Sequence, residues 1–201
     1  YSNFGPHVGL AAPGSGVYST VNSGTTSPAV PAYANYNGTS MAAPHVAGVA
    51  ALLLAQNPAL TPNQVAARLK LGSKPFPASC PQCGAGLLNA YTALVPPSFE
   101  AGTVFRFYNL FNGIHLFTGN TAERDIVLGA IPSYQYERAA FKVKPAAEAG
   151  MLPVYRFRNT RNGAYFYTIN QAEKNIVDGI PYFVLEGVAW YASAAPAAGT
   201  I

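Results

Sequence analysis

The sequence predicts a mixed fold: a helix-rich α/β segment in front and, behind it, an α+β module of two ββαβ repeats. Three observations carry this reading. Residues 1–97 contain Arg68, Lys70 and Lys74 and no acidic residue, whereas all eight acids, from Glu100 to Glu186, lie with the other nine basic residues in the second half. Halves this different in charge imply two domains. The stretch from Ser40 to Ala55 has no charge on any face, the pattern of a helix buried in a larger domain. Residues 104–143 recur as 154–191, and a repeat that keeps order, spacing and turn chemistry is a strong architectural signal.

Half the 201 residues are apolar and only 10% are charged, enough for a sizeable core. The net charge of +4 is too small a bias to suggest a nucleic-acid partner. The longest apolar run, Val46 to Ala55, is half of the roughly twenty residues a bilayer span needs, so no membrane span is expected. The opening Tyr1-Ser2-Asn3-Phe4-Gly5 has no leader pattern and reads as the interior of a domain.

In chain order, His7 to Gly14 reads as a short buried strand ended by Pro13-Gly14. Ser15 to Asn35, rich in Ser, Thr, Gly and Pro, reads as turn and loop. A helix runs from Ser40 to Ala55, with Pro44 tolerable only in its opening turn. Thr61-Pro62-Asn63-Gln64 is a capping-box sequence with proline at the first helical position, opening a helix that runs to about Leu71 and is closed by Gly72. Gly86 to Asn89 reads as a short strand and Ala90 to Leu94 as a short helix, broken by Val95-Pro96-Pro97.

The repeat begins with Val104-Phe105-Arg106-Phe107-Tyr108-Asn109, which returns as Val154-Tyr155-Arg156-Phe157-Arg158-Asn159. Asn112-Gly113 returns as Asn162-Gly163, Phe117-Thr118 as Tyr167-Thr168, and Ile126-Val127 as Ile176-Val177. After one deletion Glu137 pairs with Glu186 and Phe141 with Trp190. Each unit reads as strand, Asn-Gly hairpin, strand, capped helix, strand. Asn120 and Asn170 are the expected N-caps, each with a glutamate three residues on in capping-box position. A unit of about forty residues buries too little surface to stand alone, so the copies should share one core, with Phe107, Phe117, Phe141, Phe157, Tyr167 and Trp190 as its leading candidates. The domains are therefore expected at 1–94 and 104–191, with a linker at 95–103 and a tail at 192–201.

The two cysteines, Cys80 and Cys83, admit three readings. A zinc site wants two further ligands, and His7, His45 and His115 are scattered. A redox pair wants a strand before it and a helix after, whereas Pro77 to Gly84 reads as a loop. A local disulfide in a secreted protein is the plain reading.

The chemistry centres on Asn37-Gly38-Thr39-Ser40-Met41-Ala42-Ala43-Pro44-His45-Val46-Ala47-Gly48. A serine at the start of a helix is surrounded by free backbone N–H groups and the positive end of the dipole. Those donors suit the oxyanion formed when a serine attacks a carbonyl, and Gly38 lets the backbone approach a substrate. On these grounds alone the ordinary alternative, an N-cap serine on a core helix, stays open.

This motif resembles, nearly letter for letter, the serine motif of the subtilisin family. The resemblance extends over residues 1–94, through Phe4-Gly5-Pro6, Ala12-Pro13-Gly14 and Gly84 to Ala90, in family order and spacing. It implies the C-terminal part of a subtilisin-like parallel-sheet domain, with Ser40 as the acyl-forming nucleophile and its N–H as one oxyanion donor. It also implies substrate contacts from Tyr36, Gly38, Thr39 and Met41, and a structural role for His45. In the family the aspartate, the histidine and a further oxyanion asparagine precede the serine, so here they are expected upstream of Tyr1. A weak cation site that some relatives build after the Gly5-Pro6 turn uses carboxylates, and His7 and Gly9 stand there instead. Accordingly no metal and no cofactor are expected in this chain. The Cys80–Cys83 loop resembles that of secreted bacterial members. Residues 104–191 resemble a repeat module of unknown role at the C-terminus of secreted bacterial proteins.

The expectation is a secreted serine endopeptidase acting on polypeptides, incomplete in this chain and completed by the missing N-terminal part of the same domain. The alternative is a binding protein whose repeats hold a glycan or a surface, attached to an inactive fragment. Tyr108, His115 and Tyr165 are the candidates for an exposed platform.

Overall fold

The computed structural model describes residues 2–80, 82–95 and 98–194; the Pro96-Pro97 break and most of the 192–201 tail lie outside them. The chain divides into two compact units, residues 1–97 and 98–201.

The first unit opens with a segment half-buried along much of its length that forms one parallel bridge, Ala11 to Leu87. The strands expected at His7–Gly14 and Gly86–Asn89 are thus reduced to isolated bridges among the described residues. Ser15–Asn35 is not loop throughout. It contains an antiparallel hairpin of β1 (Val17–Asn22) and β2 (Pro31–Tyr36), in register from Val17 opposite Tyr36 to Asn22 opposite Pro31. Proline is tolerated as the first residue of a strand. The Asn22 side chain holds the connection by accepting from the Gly24 and Ala29 amides at 2.9 and 2.8 Å.

Helix α1 (Thr39–Gln56) follows directly, then α2 (Pro62–Leu71) and α3 (Ala90–Leu94). The capping box forms as expected: Thr61 Oγ1 accepts from the Gln64 amide and Gln64 Oε1 from the Thr61 amide. Val49 and Leu53 of α1, Val65 and Leu69 of α2 and Ala93 of α3 make the core, with Leu10, Leu60 and Leu88 packed against it. Each valine or leucine side chain, once buried, contributes about 1.5–3 kcal/mol. The expectation of an α1 buried all round is corrected, because only Val49 and Leu53 are buried. By length and composition α1 could cross a membrane, yet it packs on α2 and α3.

The second unit is two copies of one design. Strands β3 (Thr103–Asn109) and β4 (His115–Thr118), helix α4 (Thr121–Ala130) and strand β5 (Tyr134–Lys142) form the first. Strands β6 (Leu152–Asn159) and β7 (Tyr165–Thr168), helix α5 (Gln171–Asp178) and strand β8 (Phe183–Ala192) form the second. Each makes a three-stranded antiparallel sheet, ordered β4-β3-β5 and β7-β6-β8. Even the irregularities repeat. The register shifts at Val104/Phe105 and Arg106/Phe107 recur at Val154/Tyr155 and Arg156/Phe157, so each copy bends at the same place.

Val104, Val154 and Trp190 form a core common to both copies, flanked by Phe117 and Tyr167. Phe107 and Phe157 are fully buried. Phe141 is not: it is 45% exposed, although its ring touches Phe117 and Trp190. At this outer position part of the ring remains in solvent.

The capping boxes of α4 and α5 are also corrected. Asn120 and Asn170 cap as expected, each accepting from two amides of the first turn. The reciprocal glutamate bonds are replaced, because the Asn120 and Asn170 amides donate instead to Thr118 and Thr168 Oγ1 at 3.0 and 2.9 Å. Glu123 thereby takes Arg156 with both carboxylate oxygens, at 2.8 Å each.

Candidate active site

Hairpin β1–β2 delivers the chain straight into α1, with Asn37 and Gly38 as the only residues between. Gly38 is the N-cap, at φ 154° and ψ 161°, a region of backbone space that only glycine occupies without strain. Having no side chain, it leaves the first turn without a side-chain cap. Its carbonyl accepts from the Met41 and Ala42 amides at 3.0 and 3.3 Å. Ser40 is exposed, and neither its hydroxyl nor its amide bonds to any described residue. Oxygen and N–H are therefore presented together at the positive end of an eighteen-residue helix.

Pro44 lies inside α1, in its second turn, which corrects the placement in the opening turn. It is the residue whose N–H would bond to the Ser40 carbonyl, and proline has none. The Ser40 carbonyl thus loses its helical partner, which leaves the Gly38 carbonyl, holding the Met41 and Ala42 amides, as one anchor of the turn that carries Ser40.

Of the other expected contact residues, Tyr36 and Thr39 are exposed while Gly38 and Met41 are half-buried. Met41 Sδ lies 3.7 Å from where a Gly38 Cβ would stand, so thioether and nucleophile loop are neighbours. His45 Nδ1 donates to the Met41 carbonyl at 2.9 Å. That bond engages His45 with its own helix. His115 lies in the other unit, 3.2 Å from Glu137. The open side of α1 borders a cleft of about 940 Å³ lined by Leu10, Ala42, Val46, Leu69 and Lys70 among others. Burial pushes the Lys70 ammonium below its ordinary pKa.

Cys80 and Cys83 are joined by a disulfide. The Gln82 carbonyl within their loop accepts from the Gly5 amide at 2.8 Å, tying the loop to the start of the unit.

Two residues of the site escape the sequence reading. Asn37 Oδ1 accepts from the Gly16 amide at 2.6 Å, and the Gly14 carbonyl accepts from the Gly38 amide at 2.7 Å. The signal for the first is an asparagine directly before a glycine turn. No sequence signal indicates which backbone Gly14 meets.

Ser40 thus faces solvent at a helix N-terminus that has no side-chain cap, in a unit of mixed α and β elements. Comparison with known families supplies the class. Residues 1–86 match the Subtilase family, and the chain belongs to the family described as Domain of unknown function (DUF5648), whose match spans residues 96–201.

Among curated relatives, the extracellular protease of Xanthomonas campestris pv. campestris is 53% identical over 96 residues, covering 47% of this chain and 17% of that protein. Subtilisin of Bacillus pumilus is 41% identical over 93 residues, covering 46% of this chain and 31% of its own. A solved protease structure from Pseudoalteromonas arctica is 44% identical and covers 49% of this chain and 32% of that one, at a TM-score of 0.46. The matched part thus spans less than a third of the length of either curated relative.

Proposed function

We propose that the first unit is the nucleophile-bearing part of a secreted serine endopeptidase that cleaves peptide bonds through an acyl-enzyme on Ser40. The observation that carries this is Ser40 itself: an exposed hydroxyl with its own amide unpaired among the described residues, two residues after the N-cap glycine that follows a hairpin. The histidine that takes the Ser40 proton and the aspartate that orients it belong to residues outside this chain. His45 lies five residues past Ser40 on the same helix, with Nδ1 donating to the Met41 carbonyl, and the structural role the resemblance gives it is kept. The apolar lining of the cleft along α1 supports a docked remainder of the same domain.

In the reaction, Ser40 Oγ bonds to the substrate carbonyl carbon while its proton passes to the histidine. The oxyanion accepts a hydrogen bond from the Ser40 amide, whose position is fixed before the substrate arrives. Collapse of the tetrahedral intermediate breaks the C–N bond, and the departing amine takes the proton from the histidine. Water, activated by the same histidine, then hydrolyses the ester and frees Ser40. In subtilisin itself, loss of one oxyanion donor costs about 10²–10³ in rate, a magnitude that belongs to that enzyme.

The second unit takes no part in this chemistry. Tyr108, His115 and Tyr165 are half-buried and engaged within their own unit: the Tyr108 and His115 rings lie 5.1 Å apart, and Arg156 sits over Tyr165. The alternative reading, repeats that hold a glycan or a surface, would need these side chains to offer an open face, and they are neither fully exposed nor fully buried.

The test is hydrolysis of a small chromogenic peptide by the protein extended to include the upstream subtilase segment. Wild type is expected to turn over and Ser40→Ala to fall to background. Equal rates in both would reject the assignment.

A further inference from the structure

The nucleophile loop is gripped from one side by a single turn. From the turn, the Gly14 carbonyl accepts the Gly38 amide at 2.7 Å. From the loop, Asn37 Oδ1 accepts the Gly16 amide at 2.6 Å. The two bonds run in opposite senses between neighbouring residues of turn and loop, so together they fix both the distance and the rotation of the Asn37-Gly38 backbone. The fit at Gly14 is also steric. A Cβ there would lie 2.7 Å from the Gly38 oxygen and 3.2 Å from Ala42 Cβ. Backbone cannot swing aside as a flexible side chain can.

The contact matters because of what the Gly38 oxygen does. It is the acceptor for the Met41 and Ala42 amides, the bonds that close the first turn around Ser40. With Pro44 removing the helical bond at the Ser40 carbonyl, the Gly38 carbonyl is one of the remaining anchors that orient Ser40.

We infer that Gly14 and Asn37 are positioning residues for the Ser40 nucleophile: the 14–16 turn sets the Gly38 carbonyl, and through it the Ser40 hydroxyl and amide. This rests on the peptidase reading above. Displacement of a reacting group by about 1 Å can cost about 10²-fold in rate, and the displacement acts on attack rather than on substrate binding.

The experiment uses the complete protease on a small peptide substrate, well below its melting temperature, with folded protein confirmed by far-UV circular dichroism. Asn37→Ala is expected to lower kcat by about tenfold or more with KM changed less than about threefold, as for an interaction that matters chiefly in the transition state. Phosphonylation of Ser40 should slow in parallel. Asn37→Asp, which keeps an acceptor for the Gly16 amide, should regain most of the phosphonylation rate. Gly14→Ala should show the same kcat loss; if it fails to fold, Asn37→Ala, which removes atoms and adds none, decides. A folded Asn37→Ala enzyme with wild-type kcat and labelling rate would overturn the clamp while leaving Ser40 as nucleophile. Loss of activity that tracks only the unfolded fraction would also overturn it. Activity in wild type that survives Ser40→Ala would instead overturn the peptidase reading, and the clamp's catalytic role with it.

Discussion

The Tyr167 hydroxyl donates to the Phe117 carbonyl at 2.8 Å and accepts from the Phe117 amide at 3.1 Å. The two residues hold the same place in successive repeats, so one copy seals the other. Strand β4 lies at the edge of its sheet, where amide and carbonyl would otherwise need water or a pairing strand. A single hydroxyl satisfies both.

Tyr167→Phe should therefore destabilise the second unit by about 1–3 kcal/mol, the cost of leaving buried polar groups unpartnered. It should also alter the alkaline limb. Burial raises the Tyr167 hydroxyl to about 12 even though its bond to Phe117 opposes the shift. In the unfolded chain it ionises near about 10. Above that pH the folded state holds more protons than the unfolded one, so this stability is full below about pH 10 and is lost on the way to about 12. Tyr165 and Tyr136 shift in the same direction, so the substitution should shrink the alkaline loss without abolishing it. Urea melts from about pH 7 to about pH 11 measure both effects.

Glu123 and Glu173 are equivalent in sequence and unequal in structure. Glu123 grips Arg156 across the repeats, and Glu186 takes the same guanidinium at 2.8 Å. Burial alone would raise the Glu123 carboxyl, but the bonds from Arg156 and Thr118 outweigh it and hold the pKa below its ordinary value. A depressed carboxylate contributes stability above its unfolded pKa and loses it as pH falls through the folded one. Glu123→Gln should cost about 1–2 kcal/mol at neutral pH, below a fully buried pair because both partners keep some exposure. It should flatten the acid limb below about pH 4.5. Glu173→Gln, at an exposed position, should leave both unchanged.

Met41 adjoins Ser40, and its sulfur lies 3.7 Å from where a Gly38 Cβ would stand. Sulfoxide formation adds bulk and polarity there. The complete enzyme should lose activity with peroxide dose, and Met41→Ala should resist. Equal sensitivity in the two would reject a role for this methionine in the site.

Deleting residues 101–201 from the complete enzyme should leave small-peptide turnover within about twofold of wild type, since the first unit contains its own core and independent sites are expected to contribute separately. Loss of turnover with the remaining unit still folded would show that the repeats help to build the active site.

Where a local rule and a local partner coincide, the fold is legible in the sequence. Helix α2 is readable because Thr61 and Gln64 satisfy each other within one turn. The repeats are readable because the Asn-Gly turns and Asn caps are likewise local. Hairpin β1–β2 is not, since a Ser- and Thr-rich composition imitates loop and its strands are exposed on both faces for much of their length. Glu123 has the spacing of a capping residue, but Thr118, two residues before the cap, competes for the same amide and wins. The apolar composition of α1 specifies burial but not which face is buried: Val49 and Leu53 enter the core with α2 and α3, while Leu52 and Leu54 stay exposed. At the candidate site the serine motif is plain, whereas the grip of Gly14 and Asn37 depends on a turn brought close only by the fold.

The role of Ser40 is tested most directly by active-site labelling. The protein bearing the upstream subtilase segment, and this chain by itself, are treated at neutral pH with a fluorophosphonate, and the adduct is located by peptide mass spectrometry. The expected result is a single phosphonyl group per molecule on Ser40 in the longer protein, abolished by Ser40→Ala, and no adduct on this chain alone. Stoichiometric labelling of the isolated chain would contradict the need for an upstream base and require one among His7, His45 and His115, and an adduct elsewhere than Ser40 in the longer protein would remove the nucleophile assignment itself.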